Sequence, residues 1–261
     1  MHKKALMGIG VSLLVIFAVL MAGCVTTEDD GVYIVGIDAE YPPYAYINET
    51  GVAVGFDVES IQWIAEQKGF EVEIQPTAWD GIVPALQAGK IDMIYAGLSI
   101  TQKRMDKIAF SDPYWEIDLA VAAQAGDDVT MDQFNAGDVV IGVQRGCSSD
   151  EWLEMHFGTD KYNQMFKDGQ IKLFDSFPMS MVALGNGQVE AVIFDDAGID
   201  EYISGNDKLV KIGTTDVGEQ FAIGVRKDDT ELLAILNEGL AELKASDKWT
   251  ELKEKYNLVE E

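Results

Sequence analysis

An α/β fold of two similar lobes is what the sequence predicts, and three observations carry it. Short β-rich runs alternate with segments of helical periodicity, the order that gives a largely parallel sheet with helices packed on it. Residues 85–97 (ALQAGKIDMIYAG) are echoed in residues 183–195 (ALGNGQVEAVIFD). Both read as a helix ending at a glycine, then a polar, a β-branched and an acidic residue leading into a buried strand. Two extended apolar stretches, near 119–124 and 221–225, read as strands that join one lobe to the other.

The elements follow in order. Residues 32–37 are an alternating strand, and residues 38–44 (DAEYPPY) break it with two prolines. Val58, Ile61, Ile64 and Ala65 share one face of a helix over 58–68, which Gly69 ends. A strand over 72–75, a loop at Trp79, Asp80 and Gly81, a helix over 82–88 and a strand over 91–95 complete the first cycle. The second cycle has an extended run over 118–124, a strand over 139–143 and a loop over 144–149. Ser148 and Ser149 supply an N-cap for a helix over 150–157. Then come a strand over 171–174, a helix over 178–184, a strand over 191–194 and a helix over 197–204. A short strand over 210–212, a β-like run over 221–225 and helices over 230–245 and 248–256 finish the chain. Met131, Met179 and Met181 read as core filler.

Composition removes several function classes. A net charge of -26 over 261 residues sets the chain against nucleic acid and anionic membrane surfaces. Only two histidines are present, His2 and His156, and His156 sits in a helical run between Met155 and Phe157. A zinc site or a Ser-His-Asp triad would have to use that one residue, so neither a metal nor a cofactor is expected. The first residues differ from the rest. His2, Lys3 and Lys4 precede an almost wholly apolar run over 6–20 and the sequence Met21-Ala-Gly-Cys24. That pattern resembles a bacterial lipobox: a signal over 1–23, lipid on Cys24, and a polar tether over 24–31. It puts the remaining chain on the outer face of the cytoplasmic membrane. With Cys24 lipidated, Cys147 has no disulfide partner.

Residues 96–104 (AGLSITQKR) carry the first chemical signal. Thr101 caps a short helix in which Arg104 stands third. A cation there opposes the helix dipole by a few tenths of a kcal/mol, up to about 1, and an arriving anion would reverse that sign. The echo places Asp195 at the strand exit corresponding to Gly97, so a cation and a carboxylate would flank one cleft at the C-terminal ends of the strands. Asp195 also reads as an N-cap before Ala197.

Taken in order, D-A-E-Y-P-P-Y, G-F-D57, W-D-G-I-V-P-A-L86, A-G-L-S-I-T-Q-K-R104 and F-S-D-P-Y114 resemble the polar-amino-acid solute-binding proteins of ABC importers, over about residues 32–256. The resemblance implies the type II periplasmic-binding-protein fold: two Rossmann-like α/β lobes joined by a two-strand hinge. Lobe 1 would cover 32–121 and 221–261, and lobe 2 would cover 122–220. It implies a monomeric receptor for a free L-amino acid that closes on its ligand and docks an ABC permease. Arg104 would clamp the α-carboxylate, with Gly97, Ser99 and the Ser148 N–H as further contacts. Asp195 would take the α-ammonium, Tyr41 and Trp79 would sandwich the side chain, and Asp38 would face its polar tip. Asp38, Glu40 and Glu116 lean towards a cationic ligand, whereas Arg145 would oppose one if it reached the pocket; glutamine is the neutral alternative. Two rivals share the fold. One is a cyclohexadienyl-dehydratase-like enzyme, which needs an anionic substrate. The other is a sensor ectodomain, which would continue into a membrane helix beyond Glu261.

Overall fold

The computed structural model describes residues 31–258. The expected signal, tether and Cys24 lie outside them. In chain order the elements are β1 (Val32–Ile37), β2 (Glu40–Tyr41), β3 (Ala45–Ile47), β4 (Ala53–Val54), α1 (Phe56–Lys68), β5 (Glu71–Pro76), α2 (Trp79–Gln87), β6 (Met93–Ile94), α3 (Gln102–Met105) and β7 (Ala109–Phe110). There follow β8 (Trp115–Gln124), α4 (Met131–Ala136), β9 (Ile141–Gln144), α5 (Ser148–Phe157), α6 (Thr159–Lys167), β10 (Ile171–Phe174), α7 (Phe177–Gly185) and β11 (Ala191–Asp195). The last are α8 (Asp196–Ile203), β12 (Leu209–Phe221), β13 (Gly224–Val225), α9 (Thr230–Ala245) and α10 (Asp247–Lys255).

Two five-stranded sheets form two lobes, ordered β5-β1-β6-β13-β7 and β10-β9-β11-β8-β12. Three neighbouring strands in each run parallel: β5, β1 and β6 in the first, β10, β9 and β11 in the second. The remaining pairs are antiparallel. Both echoed segments end in a central strand, β6 and β11, as their unbroken apolar character requires. The small sheet β2-β3-β4 forms from the proline-containing segment, which was expected to be a loop.

Several boundaries differ from the sequence expectation. Trp79, Asp80 and Gly81 form the first turn of α2 rather than a loop. Helix α5 begins at Ser148 with Cys147 at its cap and no side-chain cap bond, so Ser148 and Ser149 are helical residues. Residues 119–124 lie within the second sheet, paired with both β11 and β12; the chain instead passes between the lobes just before Trp115 and just after Phe221. The short strand expected at 210–212 is the start of a thirteen-residue strand. It runs along β8 from Leu209↔Gln124 to Phe221↔Trp115, with irregularities between Lys211 and Gly213 and between Thr215 and Glu219. At the sheet edge only its two end residues are buried, and its sequence lacks the apolar alternation that marks a strand. Helix α4 was missed although Thr130 and Gln133 form a reciprocal capping box. Helix α6 was missed because Met165 is its one fully buried residue. Met179 is 54% exposed, not core, whereas Met181 is buried.

The chain returns to the first lobe at its end. Helix α9 packs against α1, and Trp249 of α10 lies 5.0 Å from the Phe56 ring. The contact between α1 and α9 is close because Gly239 has no side chain. A Cβ there would stand 2.4 Å from Ile64 Cγ2, which branches directly from the helix and has no freedom to swing away. Alanine is favoured over glycine inside a helix by about 1 kcal/mol, but overpacking costs typically 1–3 kcal/mol. Gly239→Ala is therefore expected to lower the urea midpoint, by a net ~1 kcal/mol; a raised midpoint would show that the two helices separate freely.

Candidate functional site

The strand exits of both lobes converge on one cavity, with about 300 Å³ of unfilled space including its mouth. Asp38 follows β1, Gly97 and Ser99 follow β6, Ser148 opens the helix after β9, and Asp195 ends β11. Tyr41 of β2 and Trp79 at the start of α2 complete the first lobe's side. Seven of the eight expected ligand residues border this cavity, Arg104 being the exception.

Gly97 is a glycine for two reasons. Its φ is +58°, and a Cβ would stand 2.5 Å from Tyr41 Cε1. Two residues on, Ser99 forms an isolated antiparallel bridge with Phe221 and sends its hydroxyl across to Ser148 Oγ at 3.2 Å.

Thr101 caps α3 as expected: its hydroxyl accepts from the Arg104 N–H at 3.3 Å. The Arg104 guanidinium is 5% exposed and lies over the Trp79 ring, 5.2 Å from the centroid. It donates to the Ser99 carbonyl at 2.8 Å and to the Gly146 carbonyl of the other lobe at 3.1 Å. Burial lowers its pKa below the ordinary guanidinium value, against the opposing pull of Glu151, Cys147 and Glu219. Of five N–H donors on a guanidinium, these bonds occupy two. No carboxylate among the described residues forms an ion pair with it.

Asp195 caps a helix, as expected, and also borders the cavity. Its Oδ1 accepts from the Gly198 N–H at 2.8 Å and so caps α8. Its Oδ2 is buried with no hydrogen-bonding partner placed on it. Burial pushes its pKa up to about 7, with the nearby Tyr41 hydroxyl and the Gly198 N–H pulling the other way.

Asp38 is spanned from the second lobe: Oδ2 accepts from Gln144 Nε2 at 3.1 Å and Oδ1 from the Glu40 N–H at 3.2 Å. Burial raises its pKa, and those two bonds oppose the rise. The other charges weighed for ligand preference stay away. Glu40 is exposed, Glu116 is paired with Gln220 in the β8–β12 ladder, and Arg145 lies 3.8 Å from Asp175. None of the three borders the cavity. Of the three acids behind the cationic lean, Asp38 alone remains.

Five bordering residues were not anticipated as contacts: Gln144, Cys147, Ser149, Phe194 and Phe221. Phe194 stacks on Phe177 at 4.1 Å and meets the Tyr41 ring edge-on at 5.2 Å. It had a signal, since it precedes Asp195 in the echoed segment. Gln144 and Phe221 had none, because each acts through a partner more than a hundred residues away. Burial pushes the Cys147 thiol up to about 12, which leaves it protonated and unreactive. His156, expected to be a packed or surface residue, stacks on Trp152 at 4.5 Å, outside the cavity.

The profile of the bacterial extracellular solute-binding proteins, family 3, matches residues 33–259. The L-cystine-binding protein TcyJ of Escherichia coli (strain K12) is 27% identical over 234 residues, covering 88% of this chain and 84% of that one. An ancestral arginine-binding protein, solved bound to arginine, superposes with a TM-score of 0.77 at 35% identity, over 87% of this chain and 98% of its own. An ancestral arginine-binding protein bound to glutamine superposes with a TM-score of 0.77 at 34% identity, over 87% of this chain and 97% of its own. The ancestral amino acid-binding protein AncCDT-1, a precursor of cyclohexadienyl dehydratase, superposes with a TM-score of 0.74 at 29% identity, over 87% and 95% of the two chains. With that match over nearly the whole described chain, and with two α/β lobes meeting at a charged, aromatic-walled cleft, this protein is a member of family 3 of the bacterial extracellular solute-binding proteins.

Proposed function

We propose that this protein is the amino-acid receptor of an ABC importer, held by lipid on Cys24 at the outer face of the cytoplasmic membrane. One observation supports it above the others. A buried carboxylate with a free oxygen lines an aromatic-walled cleft, and on the opposite lobe a buried guanidinium, with no acidic partner among the described residues, lies over the Trp79 ring that borders it. A free α-amino acid carries the complement of both. In this reading Arg104, the Ser148 N–H and Ser99 take the carboxylate. Asp195 and Gly97 take the ammonium, while Tyr41, Trp79 and Phe194 enclose the side chain. Charge-assisted hydrogen bonds contribute about 1.5–3 kcal/mol each, and a micromolar site needs about 8 kcal/mol. Four such bonds and the apolar walls reach that figure after the costs of ordering and closure. The closed, liganded form would then be the one that an ABC permease accepts.

A dehydratase on this scaffold would also use an acid in the cleft, and Asp195 is one. Its substrate would be anionic, however, and Asp38 and Asp195 both face the cavity, which favours the binding reading.

At the side-chain end, Asp38 and Gln144 present a carboxylate and a carboxamide together. Arginine and glutamine, the ligands of the two ancestral arginine-binding protein structures, both carry donors at their tips, which supports a cationic or amide-bearing ligand here. Calorimetry against the twenty amino acids is expected to rank arginine and glutamine first and to show no binding of aspartate or glutamate. Asp38→Asn is expected to weaken arginine at least tenfold while holding glutamine within about threefold. Tight binding of an acidic amino acid would overturn this assignment.

Arg104→Ala is expected to lose about 100-fold or more in affinity, since truncating one partner of a buried charge pair costs 2–5 kcal/mol. Arg104→Lys recovers little of it, because an ammonium has no planar fork. Undiminished binding in Arg104→Ala would sink the clamp.

Asp195 makes binding pH-dependent. In the ligand-free protein its pKa is raised to about 7, so its contribution to stability is complete below the ordinary carboxylate range and is lost as pH rises through 7. The ligand ammonium pairs with the ionised form, so below that midpoint binding must release a proton. Affinity is expected to rise about tenfold per unit between pH 5 and 7 and to level off above. In Asp195→Asn the slope disappears and affinity at pH 8 falls. A flat wild-type profile would exclude Asp195 as the ammonium's partner.

A further inference from the structure

Asp57 is the most deeply buried acid among the described residues, with no exposure at all, and it does not border the cavity. It stands in the first turn of α1, where a carboxylate suits the helix dipole. Its bonds nevertheless go elsewhere. Oδ2 accepts from the Gly97 N–H at 2.6 Å and from the Tyr114 hydroxyl at 2.8 Å. Oδ1 has no hydrogen-bonding partner. Gly97 is a wall of the cleft, wedged between the Tyr41 and Phe221 rings. Tyr114 is the residue before β8, and its own N–H donates to the Phe221 carbonyl at 2.9 Å where the second crossing segment leaves its ladder. One carboxylate oxygen thus holds both a turn of the cleft and the root of the strand that passes to the other lobe.

This arrangement carries a cost. A buried carboxylate with one oxygen unpaired gives up hydration that its two bonds only partly restore. A neutral residue of the same shape would be cheaper for folding alone. The acid's two bonds serve the cleft and the crossing rather than the helix that bears it, so its use lies there.

We propose that Asp57 is a positioning residue for ligand binding: its Oδ2 fixes the Gly97 turn to Tyr114, joining the floor of the cleft to the segment about which the lobes move. The proposal rests on the reading of the cleft as the amino-acid site. The groups facing Asp57 are the phenols of Tyr44, Tyr95 and Tyr114, all with pKa values pushed well above the ordinary 10 by burial and so neutral throughout. No cationic group among the described residues faces it, and burial raises its own pKa to about 7.

The test is Asp57→Asn in the lipid-free mature chain, with three readouts. In the 15N-labelled wild type, the Gly97 amide proton should lie far downfield and titrate with a midpoint near 7. In the variant it should move upfield and stop titrating. The dissociation constants for arginine and glutamine should rise about tenfold, mostly through faster release. The melting temperature at pH 8 should stay level or rise, since an ionised buried group has been removed. Affinity and stability would then move in opposite directions, which a merely structural role does not produce. Tyr114→Phe removes one of the two ties and should cost about threefold in affinity, a second check should the asparagine variant fail to fold. An unmoved Gly97 signal, an unchanged affinity, or an affinity loss matched by a lower melting temperature would each overturn the role of Asp57. If the wild type binds no amino acid while Gly97 titrates as described, the functional reading fails instead, and with it the ligand-positioning role.

Discussion

The junction at Phe221 is the constraint on which the two lobes depend. This residue pairs with Trp115 at the end of the β8–β12 ladder, so it belongs to the second sheet. The same residue bridges Ser99 in the first lobe, and its carbonyl accepts the Tyr114 N–H. Its ring meets Tyr44 edge-on at 5.2 Å and forms one wall of the cleft. Backbone pairing with the second sheet and with Ser99 of the first lobe leaves Phe221 little freedom, and that rigidity reaches the cleft directly. A wall set by the crossing strand stays in register with the lobes however they turn, which a wall carried on a surface loop would not.

Around this junction the molecule buries charge with unequal care. Arg104 is satisfied by carbonyls, one from each lobe, which supply dipoles and not a counter-charge. Asp195 gives one oxygen to a helix terminus and keeps the other free. A fold selected for stability alone would pair such groups or replace them, because an uncompensated buried ion is expensive. In the proposed reading, leaving this cation and this acid without ionic partners is a pre-organised arrangement: the desolvation cost is met on folding, and a zwitterionic partner would recover it on binding.

How far this could be read from the sequence follows from how local each feature is. The Thr101 cap and the third position of Arg104 are set within four residues, and both hold in the structure. The echo between 85–97 and 183–195 marks two buried central strands, whose apolar runs are written into the chain itself. Asp195 could be placed at the cleft because it ends one of those strands. The features that were missed all depend on distant partners. Strand β12 takes its length from β8, about ninety residues away, and shows no periodicity of its own. Gln144 gains its place from Asp38, 106 positions earlier. Glu116 and Arg145 looked eligible for the pocket by position, and only the direction in which the folded chain turns them excludes them. Asp57 was visible as part of a motif, but nothing near it in sequence shows that its donors come from residues forty and fifty-seven positions on.

Selectivity follows from the same geometry. The groups proposed for the α-carboxylate and α-ammonium are indifferent to side chain, so discrimination must come from the far end of the cleft. There the polar contact is a pair divided between the lobes, Asp38 from one and Gln144 from the other. A ligand tip that engages both needs them at a particular separation, and lobe closure sets that separation. A guanidinium or a carboxamide can donate to Asp38 and still meet Gln144, whose amide both donates and accepts. A carboxylate tip would face Asp38 across a dry cleft, where repulsion between like charges is strong. In the proposed reading, rejection of acidic ligands would be bound to closure itself: the tighter the lobes drew together, the less room would be left for water between the two carboxylates, and the larger the penalty would become.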